Sequence, residues 1–265
     1  MGKRIRMVVT DLDDTLLSRE KEISEAAVEV IEGLAQKGVR FTFITGRPPY
    51  AVERFAQRVH ITAPIVACNG AMLVNPENGE ISAEKSLDIS LWKDILEKAR
   101  EQGHTILVLS GETEYALSET DWTRKRREAG REVPVAELEM LLSRDNIYKM
   151  NIMEEKGAEP FELLIPQIRG LEEQYSVSLY GTSGCEIVAK DVDKEAGMRA
   201  LCEICGIQPE EVLAVGDNEN DLRMILAAGI GAAVGNAVDR VKEAADYICE
   251  KTYTDGVIEA VLRFV

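Results

Sequence analysis

The chain opens on an apolar run, Ile5-Arg6-Met7-Val8-Val9, that stops at the acidic Asp11. Short apolar runs bounded by turn residues mark strands, so a strand is predicted over 5–10. Over 24–37 the apolar residues Ala27, Val30, Ile31 and Leu34 recur at helical spacing, and Gly38 stands where a helix C-cap belongs. A second strand over 39–45, a second helix over 48–59 and a short third strand over 65–67 follow. The last third repeats this alternation, with helix 194–205, strand 212–215, helix 221–228, strand 231–234, helix 238–244, strand 247–249 and helix 257–264. Strands alternating with helices imply a parallel sheet covered on both faces.

The middle of the chain, 81–189, has another rhythm. Strands are predicted over 105–109, 114–117, 148–152, 177–180 and 186–188, with helices over 91–102, 135–142 and 161–175. This reads as an inserted α+β domain. It carries the run Arg124-Lys125-Arg126-Arg127, with Arg131 beyond it. A solvated basic face is the simpler reading of that run; a patch that attracts an anionic substrate is the alternative.

Composition narrows the class. A chain of 265 residues with 45% hydrophobic and 29% charged residues is long enough for one large or two modest globular domains. Its formal net charge of −16 repels nucleic acid and anionic membranes, so neither is an expected partner. No apolar stretch approaches the ~20 residues of a membrane span. The basic N-terminus Met1-Gly2-Lys3-Arg4 is followed by too short an apolar segment for a signal peptide, so a cytoplasmic location is expected. The five cysteines are scattered, which argues against a disulfide framework. Cys202 and Cys205 have CxxC spacing but lie in a helical pattern and read as buried structural thiols. The two histidines, His60 and His104, have no partner motif. Nothing in the sequence fixes an oligomeric state.

The chemistry gathers where the predicted strands end. The first runs into Asp11-Leu12-Asp13-Asp14-Thr15. Strand residues at i and i+2 point to one side, so two carboxylates would crowd into one volume, asking for a cation or a shared proton. The plain alternative is a turn whose acidic residues cap the next helix. The second strand ends in Thr45-Gly46-Arg47, the strand at 212–215 runs into Gly216-Asp217-Asn218-Glu219-Asn220-Asp221, and Lys194 opens a helix as the inserted segment returns. In open parallel sheets ligands bind at this rim. Asp11, Asp13 and Asp217 are hard oxygen ligands of the kind Mg²⁺ takes. Gly46 and Gly216 allow close backbone approach, Thr45 offers donors to phosphate oxygens, and Lys194 would neutralise phosphate charge.

These motifs, in this order, resemble the haloacid dehalogenase superfamily of phosphohydrolases. The likeness is narrower to its Cof-type subgroup with a type IIB cap, where Asn69-Gly70-Ala71, Gly235-Asn236-Ala237 and Asp255-Gly256-Val257 also have counterparts. The resemblance covers the whole chain. It implies an α/β fold: a doubly wound parallel-sheet (Rossmann-like) core over 1–80 and 190–265, with an α+β cap over 81–189 that selects substrate. It implies a Mg²⁺-dependent phosphatase of small phosphorylated metabolites, sugar phosphates among them. Asp11 would be the nucleophile, forming an aspartyl-phosphate, and Asp13 the general acid/base. Leu12, Thr45, Gly46, Arg47, Lys194 and Asn220 would hold the phosphoryl group or substrate. Asp11, Asp13, Asp217 and Asp221 would serve the metal, Asp13 through its backbone carbonyl and Asp221 through Lys194 or metal-bound water. Two positions depart from the subgroup: Glu195 follows the lysine, adding negative charge beside it, and Asn218 replaces a common glycine. Asp14 is expected to be an N-terminal helix charge. A phosphomutase or phosphotransferase on the same scaffold, and a non-catalytic phospholigand-binding protein, are the alternatives.

Overall fold

A computed structural model of the protein describes residues 4–265; Met1, Gly2 and Lys3 of the basic N-terminus lie outside the described residues. Two compact units emerge, the first running up to Glu84 and resuming at Asp193–Val265, the second comprising Lys85–Val192.

The first unit begins with β1 (Met7–Thr10), β2 (Arg40–Phe43), β3 (Ile65–Ala67), β4 (Met72–Val74) and β5 (Ile81–Glu84). The second unit holds β6 (Thr105–Ser110), β7 (Thr113–Ala116), β8 (Ile147–Met153), β9 (Tyr175–Leu179) and β10 (Gly184–Ala189). The chain then returns to the first unit with β11 (Val212–Gly216), β12 (Ile230–Ala233) and β13 (Tyr247–Ile248).

In the first unit the strands run parallel in the order β13-β12-β11-β1-β2. Val8 of β1 pairs with Leu213 on one side and Phe41 on the other. A parallel bridge from Ile44 to Val66 sets β3 beside β2. Both faces of this sheet are covered, which explains why its strands are apolar throughout rather than alternating. Val8, Phe41, Phe43, Leu213 and Val215 pack under the helices Glu25–Gln36 (Ala27, Ile31, Leu34) and Tyr253–Phe264 (Val257, Ala260, Val261). Met7, Val9, Val212 and Ala214 face the opposite way, against Met198, Leu201, Cys202 and Cys205 of the helix Lys194–Cys205 and Met224 of Leu222–Ala227. This is the doubly wound core.

The second unit is an antiparallel sheet ordered β7-β6-β8-β10-β9. One face, with Ile106, Val108, Met150, Ile152 and Ile187, packs on Trp92, Leu96 and Ala99 around the helix Lys93–Glu101 and on Phe161 and Ile168. The alternate positions are polar at the centre: Lys149 pairs with Glu186, and Tyr180 links Glu186 to Asn151 through bonds of 3.1 Å.

Several elements differ from the sequence expectation. The stretch 48–59 is not one helix but a short 3₁₀ turn, Pro49–Ala51, followed by Glu53–Ala56. Over 161–175 only Phe161–Leu163 and Ile165–Arg169 are helical, and Tyr175 already belongs to β9. Pro166 and Gly170 interrupt that apolar pattern. The helix expected over 135–142 starts only at Leu138, because Val135 bridges to Ala116 at the sheet edge. The basic run Arg124–Arg127 lies on a helix, Asp121–Glu128, that has no apolar stripe and that periodicity does not predict. Local bonds secure it: Thr120 and Thr123 form a reciprocal cap, and Glu155 accepts from the Trp122 amide at 3.0 Å. Arg124 pairs with Asp121, Arg127 with Glu119, and Arg126 lies over the Trp122 ring, so much of the run is neutralised within its own unit. The hairpin of β4 and β5 is likewise absent from the sequence expectation, and it keeps Ile81–Glu84 in the first unit.

Candidate active site

In the core sheet the chain leaves β1 toward β2 on one side, and leaves β11 toward β12 on the other. The loops after β1 and β11 therefore diverge, and a crevice opens where both strands end. The Asp11 amide donates to the Val215 carbonyl at 3.0 Å, so the chain is still tied to β11 as it leaves the sheet. It then makes a tight turn over Leu12–Leu16, closed by the Leu17 amide on the Leu12 carbonyl at 2.8 Å, with Asp14 at a left-handed φ of 61°. No α-helix starts here. The first one begins at Glu25, capped by the Ser24 hydroxyl. Asp14 is therefore not a helix-terminal charge; it pairs with Lys21 at 3.1 Å.

The two loops bring three carboxylates together: oxygens of Asp11, Asp217 and Asp221 lie within 4.8 Å of one another. Into this cluster reaches Lys194, 1% exposed, whose Nζ donates to Asp11 Oδ1 at 2.6 Å and to Asp221 Oδ1 at 2.5 Å. Lys194 can do so because it is the first residue of a helix capped by the Asp193 carboxylate, which accepts from the Ala196 amide at 2.8 Å. The other Asp221 oxygen accepts from the backbone amides of Asp217 (2.9 Å) and Asn218 (3.1 Å). This fold-back requires Gly216: a Cβ there would stand 2.5 Å from the Asp221 Cβ. Thr15 donates its hydroxyl to Asp217 Oδ1 at 2.6 Å, tying the loop after β1 to the loop after β11.

Charge is frustrated in this crevice. Burial pushes the Asp11 carboxyl up to about 7; Lys194 pulls it back, and Asp221 and Asp217 add to the rise. Burial likewise raises Asp217 to about 6, against the Thr15 hydrogen bond. Burial alone would lower Lys194, but Asp11 and Asp221 outweigh it and hold the ammonium protonated. One lysine cannot satisfy three carboxylates. The donor set is all oxygen, which suits a hard divalent cation, and such an ion would let all three ionise.

Asp13 points elsewhere. Arg47 grips its carboxylate with two hydrogen bonds, 2.6 and 2.7 Å, and Lys21 approaches at 3.2 Å. Burial works to raise Asp13, but Arg47 and then Lys21 hold it below the usual carboxylate range. Thr45 is buried after β2, its hydroxyl accepting from the Arg47 amide at 3.2 Å. Gly46 lies beside the Asn69 side chain, and Asn220 donates to Asn69 Oδ1 at 3.2 Å. The Leu12 side chain is fully buried in the core and its carbonyl is taken by the Leu17 amide, so any contact of Leu12 with a ligand would come from its backbone N–H. Glu195 turns to Arg199 and Arg223, both at 2.9 Å, while the Lys194 bonds go to Asp11 and Asp221. Asn218 caps the segment Glu219–Asp221 that follows it.

Sequence reasoning assigns no role to Thr15, Lys21 or Asn69. Thr15 belongs to the DxDxT element, which is a signal. Asn69 sits in the Asn-Gly-Ala segment, which marks a place but no task. Lys21 lies in a polar stretch without periodicity; a turn closed by the Lys21 amide on the Ser18 carbonyl at 2.9 Å, with Lys21 at a φ of 60°, carries it.

The sequence pattern of the haloacid dehalogenase-like hydrolases matches residues 8–261. A phosphoglycolate phosphatase of Methanobrevibacter smithii is 25% identical, with 98% of this chain and 99% of the relative aligned. The 5-amino-6-(5-phospho-D-ribitylamino)uracil phosphatase YitU of Bacillus subtilis is 25% identical over 95% of this chain and 94% of its own. Among solved structures, a subclass IIB sugar phosphatase of the same superfamily superposes with a TM-score of 0.80, covering 98% of each chain at 21% identity, a likeness of fold. With a match spanning nearly all of its length, laid over a doubly wound core whose switch point gathers Asp11, Lys194, Asp217 and Asp221, the chain belongs to the haloacid dehalogenase-like hydrolases.

Proposed function

We propose that this hydrolase is a Mg²⁺-dependent phosphatase of small phosphorylated metabolites, acting through an aspartyl-phosphate on Asp11. The observation that carries the reading is the buried Lys194 ammonium between Asp11 and Asp221, inside a cluster of carboxylates at the switch point. A carboxylate attacks a phosphate ester only where cations offset their repulsion. Asp11, Asp217 and Asp221 would hold the metal, directly or through water, and the metal would add charge neutralisation at the phosphate. Their all-oxygen donors favour Mg²⁺.

In the first half-reaction an Asp11 carboxylate oxygen attacks phosphorus, the P–O bond to the leaving group breaks, and Asp13 supplies the proton that the leaving oxygen takes. In the second, water attacks the acyl phosphate, Asp13 accepts its proton, and phosphate departs while Asp11 is regenerated. The Arg47 pairing favours the ionised, base form of Asp13. Donation therefore requires Arg47 and Lys21 to loosen their hold on Asp13, and an incoming phosphate is a natural new partner for these cations. Thr45, Gly46 and Asn220, with the Leu12 backbone, would line the phosphoryl site. The second unit, Lys85–Val192, would act as the cap that selects the leaving group.

The relatives' names, phosphoglycolate and a phosphoribitylaminouracil, support small phosphomonoesters as the substrate class. The test is phosphate release from a panel of sugar, polyol and short-acid phosphates, with Mg²⁺ and with EDTA. Metal-dependent release that disappears in Asp11→Asn is expected. Full activity in that variant would sink the mechanism, and isomerised sugar phosphate without free phosphate would favour a mutase.

A further inference from the structure

Cys68 and Asn69 are consecutive, buried, and both left-handed, with φ of 50° and 54°. Two non-glycine residues in that region in succession are uncommon, and such backbone persists where its surroundings impose it. Here the imposing partner is the loop after β2. The Cys68 amide donates to the Arg47 carbonyl at 3.0 Å and the Asn69 amide to the Thr45 carbonyl at 2.9 Å. The Asn69 side chain is thereby laid across Gly46, so closely that a Cβ on Gly46 would lie 3.2 Å from both Asn69 Oδ1 and Nδ2. Its far side meets the loop after β11, where Asn220 Nδ2 donates to Asn69 Oδ1 at 3.2 Å. One side chain thus touches both the Thr45-Gly46 turn and Asn220.

We propose that Asn69 is a positioning residue for phosphate: it fixes the amide plane of Asn220 relative to the Thr45-Gly46 backbone. This rests on the phosphatase reading of the site. A side-chain amide has two N–H groups in one plane and a carbonyl that repels phosphate. With one N–H of Asn220 committed to the acceptor on Asn69, the plane is set, and the second N–H keeps a fixed direction in which to donate. Asn220 otherwise sits exposed in the short segment Glu219–Asp221. Preorganised donors of this kind spare the ligand the cost of ordering them.

The test is a double-mutant cycle of Asn69→Gly and Asn220→Ala, read by binding of inorganic phosphate in the presence of Mg²⁺ and by KM and kcat on the best ester. Glycine accepts the left-handed backbone, so Asn69→Gly removes the side chain without adding strain. Asn69→Gly is expected to weaken phosphate binding roughly 3- to 10-fold, the net effect of one hydrogen bond, raising KM while leaving kcat far less changed. In the Asn220→Ala background the same change should have little further effect, because its partner is gone. Additive losses, or wild-type phosphate binding in Asn69→Gly, overturn the positioning role. So does a fall in kcat at unchanged KM, the mark of a poorly folded fraction. If the wild-type protein releases phosphate from esters and the cycle is additive, only the Asn69 proposal fails. If it neither binds phosphate nor releases it from esters, both readings fail.

Discussion

Lys194 illustrates what a single buried charge does here. It is enclosed with two carboxylates, and its removal would leave Asp11 and Asp221 facing each other without a cation. Breaking a buried ion pair from one side typically costs about 3–5 kcal/mol. Lys194→Met should therefore lower the stability of metal-free protein by an amount of that order, measured by denaturant unfolding, and abolish phosphate release. The carboxylates themselves give a pH signature. Asp11 and Asp217 are raised from an ordinary value of 3.8 to about 7 and about 6, so the folded state holds their protons more tightly than the unfolded chain. Their contribution to stability is complete below the unfolded value and is lost as pH rises through the folded ones. Metal-free protein should thus melt lower at pH 8 than at pH 5.5, and Asp217→Asn should flatten that slope. Added Mg²⁺ should raise Tm more at pH 8, since protons compete for the same oxygens. A metal-induced gain that ignores pH would count against these carboxylates as the metal site.

Among the elements, the helix Lys194–Cys205 shows how sequence pattern and site are joined. Its buried stripe of Met198, Leu201, Cys202 and Cys205 docks on the sheet and so fixes where Lys194 points. The CxxC pair belongs to that stripe, and burial pushes the Cys202 thiol up to about 11, far from a reactive thiolate. In the second unit, His104 leads into β6, fully buried, edge-on to Phe161 with ring centres 5.8 Å apart, and neither ring nitrogen has a hydrogen-bond partner. Burial lowers its pKa below 6.5, with only Glu154 acting against the shift. An imidazole kept neutral in the fold supports stability above its unfolded pKa, and that support is lost as pH falls past it. This contribution opposes that of Asp11 and Asp217, so it is read locally: in His104→Phe, amide exchange within Lys85–Val192 should become less sensitive to acid between about pH 7.5 and 5 than in the wild type. Elements with a clear apolar period, such as Glu25–Gln36, are legible in the sequence. Asp121–Glu128 is not, since side-chain caps rather than an apolar face hold it, nor is the exposed β5, whose backbone pairing leaves little mark on residue choice.

Over the full chain the net charge is −16, yet the candidate site gathers Lys194, Arg47 and Lys21. The long-range field opposes a phosphate dianion and the local field favours it. Salt screens the first more than the second, because buried pairs are shielded least. Raising ionic strength from about 10 to about 150 mM should therefore raise kcat/KM for a phosphomonoester, and a steep fall would show attraction at long range instead. Among the described residues no helix is long and apolar enough to cross a membrane. The alternation of strands and helices, the inserted segment, and the chemical groups that stand at strand ends can all be read from residue order, because apolar period and turn chemistry are local properties. How those groups are partnered cannot. That Asp13 turns to Arg47 while Asp221 turns to Lys194, that Lys21 is drawn into the site, and that Asn69 joins Gly46 to Asn220 all depend on chain segments far apart in sequence. Strand order and loop direction bring them together in the folded chain, and neither is written in any local pattern.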